Sequence, residues 1–79
     1  MDKAEELKAI TRKVLGDRPG KGFYSKADRM LTEGVCTNTS LIRATRDIER
    51  IVKLFVGVEL AGSLNQKYSD FFKNHPSYL

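Results

Sequence analysis

The sequence predicts an all-α fold of three to four helices, a small bundle or orthogonal array with the third helix central. Three observations carry this reading. Apolar residues recur every three or four positions in at least three segments. No stretch sustains an apolar–polar alternation, and no Asn-Gly or Asp-Gly pair marks a hairpin. A glycine or proline follows each periodic segment, where a helix would stop.

The first helix is expected over residues 2–15. Ala4, Leu7, Ile10 and Val14 share one face. Asp2, Glu5 and Glu6 open it, and Arg12 and Lys13 lie near its end, the charge order that suits the helix dipole. Gly16 is the expected C-terminal cap. The second helix is expected over 25–33. Ser25 and Asp28 have the spacing of a capping box, Ala27, Met30 and Leu31 form a short apolar stripe, and Gly34 ends it. Residues 36–40, CTNTS, are rich in side chains that cap helices. The third helix, over 40–56, places Leu41, Ala44, Ile48, Ile51, Val52 and Phe55 on one arc, with Arg43, Arg46, Arg50 and Lys53 opposite. The fourth, over 58–73, carries Leu60, Ala61, Leu64, Tyr68, Phe71 and Phe72. Pro76 stops it, and residues 74–79 read as a loose tail. Gly57 leaves two alternatives: separate helices, or one rod through 40–73.

The 79 residues make a single domain, 1–79. A single cysteine, Cys36, excludes an intrachain disulfide and fits a reducing compartment, so a cytoplasmic protein is expected. The opening MDKAEELKAI lacks the apolar core of a signal peptide. The longest apolar run, Leu54–Val58, is far shorter than the ~20 residues of a bilayer span, so no membrane partner is expected. The net charge of +4 admits an anionic partner without requiring one.

The loop GDRPGKG at 16–22 does not meet the requirements of a nucleotide-binding P-loop. Gly16 and Gly20 enclose three residues rather than four, Lys21 is followed by Gly22 rather than Ser or Thr, and a helix precedes it. Lys21-Gly22-Phe23 matches the start of an RNA-recognition strand but departs at Tyr24, and no sheet is available. The loop reads as an interhelical joint, with Arg18 and Lys21 as candidate anion contacts beside a helix N-terminus.

Catalytic, metal-binding and cofactor-binding residues are not found. Glu5, Glu6, Asp47, Glu49, Glu59 and Asp70 fall on charged faces without apolar surroundings that would raise a pKa. One cysteine and one histidine, His75, cannot close a zinc site. Cys36 reads as a small buried hydrophobe, with a redox role as the sharper alternative. Asn38-Thr39-Ser40 matches a glycosylation sequon, but helix capping accounts for it. No enzyme, cofactor or small-molecule substrate is therefore expected.

The preferred reading is a small regulatory or adaptor module that contacts another protein, or a second copy of itself, through helical faces. Its candidate anchors are Leu64, Tyr68, Phe71 and Phe72; Phe71 and Phe72 point about 100° apart, which leaves one of them free to face outward. The alternative is DNA binding. Residues 30–51, MLTEGVCTNTSLIRATRDIERI, resemble a helix-turn-helix, with Met30 where such motifs carry a small residue and Leu41 one position late. The resemblance implies nucleic-acid contact through Arg43, Arg46, Arg50 and Lys53. Against it, Asp47 is spaced to balance Arg43 and Arg50, and Glu49 to balance Arg46 and Lys53.

Overall fold

The computed structural model describes residues 2–78, with backbone alone at positions 38 and 78. Four α-helices follow one another: α1 (Lys3–Leu15), α2 (Lys21–Gly34), α3 (Asn38–Phe55) and α4 (Val58–Asn74), then a 3-10 turn over Pro76–Tyr78. No strand occurs among the described residues. Each helix packs on the one before and the one after it, and α4 returns to pack on α1. The bundle is therefore a ring of four, with α1 and α3 on opposite sides. α3 has three partners: α2, α4 and the 3-10 turn.

Asp2 stands outside α1 as its N-cap and accepts the Glu5 N–H at 3.0 Å. Gly16 closes the helix with φ 60°, and its N–H reaches the Arg12 carbonyl at 2.8 Å. The buried face of α1 is Ala4, Leu7, Thr11 and Leu15, and the apolar Ile10 and Val14 lie only half-buried beside it. A threonine thus holds the centre of a face that periodicity assigns to aliphatic residues.

α2 begins at Lys21, not at 25. Gly20 supplies the turn into it with φ 83°. The early start follows from packing. Phe23 and Tyr24 lie against the core, the Tyr24 hydroxyl donates to the Gly16 carbonyl at 2.6 Å, and the Arg12 guanidinium covers the Tyr24 ring at 4.6 Å. Ser25 is therefore helix interior, and Asp28 is no capping acid. It instead receives two hydrogen bonds from Arg12, at 2.9 and 2.7 Å.

Gly34 ends α2 where α3 comes closest. A Cβ there would stand 3.0 Å from the Leu41 Cα and 3.2 Å from the Ser40 carbonyl oxygen. Thr37 opens α3 by accepting the Ser40 N–H at 3.1 Å. α3 and α4 are separate helices: both Val56 and Gly57 N–H groups bond back to the Val52 carbonyl, and the backbone is extended at Gly57. Phe55, placed by periodicity on the core arc, is exposed. It sits on the last residue of α3, and Val56 packs against the core in its place.

The segment after α4, which reads as loose in the sequence, folds back. His75 N–H bonds to the Phe72 carbonyl at 3.1 Å, its ring stacks on Phe71 at 4.3 Å, and Pro76–Tyr78 packs against α3. His75 Nε2 also lies 3.7 Å from the Glu6 carboxylate. This ties the end of α4 to the start of α1.

Candidate contact surfaces

Burial is what changes most between the expected and the observed anchors. Leu64 and Tyr68 are fully buried, and Phe71 and Phe72 both point inward, packed edge-to-face at 5.3 Å. Neither phenylalanine is an exposed docking side chain. α4 has α3 on one side and α1 on the other, so both directions available to adjacent residues lead into the ring.

What α4 offers instead is a groove shared with α3, of about 540 Å³. Ile42, Tyr68 and Phe72 line its apolar part, and Arg46, Glu49 and Lys73 its charged part. Phe72 thus contributes an edge to this surface, while Tyr68 lies buried beneath it.

The cationic row on α3 is present. Arg43, Arg46, Arg50 and Lys53 are all exposed. Their expected neutralisation is only half there. Asp47 reaches Arg50 at 3.7 Å, but Glu49 accepts the Asn65 amide at 2.7 Å across the groove. Arg43, Arg46 and Lys53 make no ion pair among the described residues. Of the two loop cations, Arg18 donates to the Leu15 carbonyl at 3.3 Å, and Lys21 is exposed at the start of α2. Neither joins the α3 row. Arg43 faces the crevice between α2 and α3, whereas Arg46, Arg50 and Lys53 border the one between α3 and α4.

The corner between α3 and α4 holds a surface that periodicity alone does not reveal. Leu54, Phe55 and Val58 are exposed there at 71%, 81% and 66%. The signal in the sequence is the apolar run LFVGV, which is longer at a helix junction than one helix face requires.

Cys36 is exposed in the turn between α2 and α3 and is not a packed hydrophobe. Its N–H bonds to the Glu33 carbonyl, and Thr37, one residue on, takes the cap. His75 is engaged with Phe71 and Glu6, so the only imidazole belongs to the helix closure. No three His, Cys, Asp or Glu residues converge on a metal-sized site among the described residues. The group with the largest pKa displacement is the Tyr68 phenol. Burial pushes it up. Burial thus disfavours the phenolate further, and the buried ring packs in the core. Among the described residues, no helix is long and apolar enough to cross a membrane. Compared with family models, with curated proteins and with solved structures, the chain finds no match.

Proposed function

We propose that this protein is a non-catalytic cytoplasmic adaptor that binds a second protein along the α3–α4 groove. One observation carries the reading: the groove combines an apolar wall of Ile42 and Phe72 over the buried Tyr68 with exposed cations, Arg46 and Lys73. A partner helix bearing one apolar anchor and flanking carboxylates would fill both features. Ser69, half-buried on the groove wall, can be changed without entering the core.

A photo-crosslinking amino acid at Ser69 tests this. A discrete adduct with one protein, lost on Arg46→Glu and missing when the crosslinker stands at exposed Lys13 on α1, supports the reading. Adducts that are the same at Ser69 and Lys13 would overturn it. A self-adduct at Ser69 identifies the partner as a second copy.

A second reading, DNA contact through α3, is favoured by the unpaired state of Arg43 and Arg46. Duplex affinity should then fall steeply with salt and be abolished by Arg46→Glu. An affinity unchanged by that substitution excludes it.

A further inference from the structure

Leu54, Phe55 and Val58, each more than half exposed, form an apolar tip within five positions of chain, between two separate grooves. Isolated exposed apolar residues need no explanation, but a contiguous group of large ones marks a contact surface. The groups on either side of this tip decide what it contacts. Phe55 borders a groove that also carries Arg18 and Lys26. Val58 borders a different groove, which carries Arg46, Arg50 and Lys53. Cations therefore stand on both flanks. The one carboxylate lining those two grooves, Glu49, is taken up by Asn65. Glu59, next to Val58, and Asp17, next to Arg18, are exposed acids adjacent in sequence, and Asp47, next to Arg46, pairs with Arg50 at 3.7 Å, which leaves Arg46 and Lys53 as the unpaired cations of that flank among the described residues.

Shape and charge together select the occupant. A single acidic peptide would fill one groove and leave the other flank idle. A second copy would bring two cationic collars together. A flat anionic surface meets the tip and both flanks at once. We propose that the α3–α4 corner docks this protein onto membranes rich in anionic lipid, with Leu54, Phe55 and Val58 entering the headgroup–acyl boundary and the flanking lysines and arginines at the phosphates. Such a contact needs no spanning helix. It buries a few apolar side chains and adds electrostatic attraction to acidic headgroups. Lys53, beside Leu54, can lay its aliphatic stem along the apolar tip while its ammonium stays in the headgroup layer.

The test is co-sedimentation of the full chain with phosphatidylcholine vesicles, with and without about 30 mol% phosphatidylserine, a charge density in the range of acidic cytoplasmic leaflets. Binding should require phosphatidylserine and fall as the salt concentration approaches about 1 M, where screening is nearly complete. Phe55→Ser should lower the partition coefficient about tenfold or more, the effect expected for losing one large apolar side chain from an apolar phase. Lys53→Glu should lower it as well. Residues 53 and 55 are exposed, so an unchanged helical circular dichroism spectrum is expected for both variants. No binding to the anionic vesicles at low salt overturns the proposal. So does undiminished binding by the Leu54→Ser/Phe55→Ser double variant, because attraction of a cationic protein would then suffice. The Ser69 crosslink uses no lipid, so the two proposals fail separately.

Discussion

Tyr68 donates its hydroxyl proton to Thr11 Oγ1 at 2.6 Å, because the Thr11 proton is committed to the Leu7 carbonyl at 2.8 Å. Both residues are fully buried, so this chain of two bonds is the polar seam between α1 and α4. The two ends of the seam are unequal. Thr11→Val strands the Tyr68 phenol in the core and should cost about 1–3 kcal/mol. Tyr68→Phe leaves Thr11 bonded to Leu7 and should cost about 1 kcal/mol or less. The double variant should lie nearer to Tyr68→Phe than the sum of the two. Urea denaturation of the three variants measures this.

The same phenol sets an alkaline limit. Its folded pKa lies above the unfolded value, so the folded state holds the proton longer. The stability it contributes is whole below about pH 10, the ordinary tyrosine value, and declines as pH rises through the displaced one. Denaturation midpoints should therefore drop above that pH, and Tyr68→Phe should flatten the drop. A midpoint with the same alkaline slope in the variant would assign the effect elsewhere.

Arg12 ties α1 to α2 in two ways, through the paired hydrogen bonds to Asp28 and through its place over the Tyr24 ring. The Asp28 bonds, above all, hold the guanidinium pKa above its ordinary value. Its side chain is half-exposed, so the ion pair is screened and worth about 1 kcal/mol at most. Asp28→Ala removes the pair alone. Arg12→Ala also removes the ring contact and should cost about 0.5–1 kcal/mol more. Raised salt should narrow the cost of Asp28→Ala, as read by thermal melts.

Glycine substitutions should split by location. Gly34→Ala drives a methyl group into the α3 backbone at Leu41 and Ser40, which cannot swing aside, and should destabilise by about 1–3 kcal/mol. Gly62, the fifth residue of α4, has nothing within 4 Å of a new Cβ. Gly62→Ala should stabilise by about 0.5–1 kcal/mol through helix propensity. Equal effects at the two sites would mean that α2 and α3 do not cross as closely as described.

The fold was largely legible because its signal is local. Period, cap and stop residues mark three to four helices without knowledge of their partners, and Gly57 leaves the last two open as separate helices or one rod. The early start of α2 was not, because it depends on Tyr24 and Asp28 finding Arg12 on another helix. Thr11 at a buried position was illegible for the same reason: a buried hydroxyl needs a partner, and that partner lies 57 residues away. The contact surface was the least legible part. Periodicity ranks Phe71 and Phe72 as it ranks any apolar side chain, and only the ring arrangement shows that both point inward. It likewise puts Phe55 on the core arc, because an arc does not record where the neighbouring helices end.

The ring has a topological consequence. Every helix touches its predecessor and successor, and the Glu6–His75 contact closes the circuit between the last helix and the first. The connectors are thus interchangeable in principle, since none of them threads the interior. A circular permutant, bridged from residue 78 to residue 2 by a flexible linker and opened between Asp17 and Pro19, would retain all four helix–helix interfaces. Its chain would begin at α2 and finish at α1, with the same native contacts reached in a different order of synthesis.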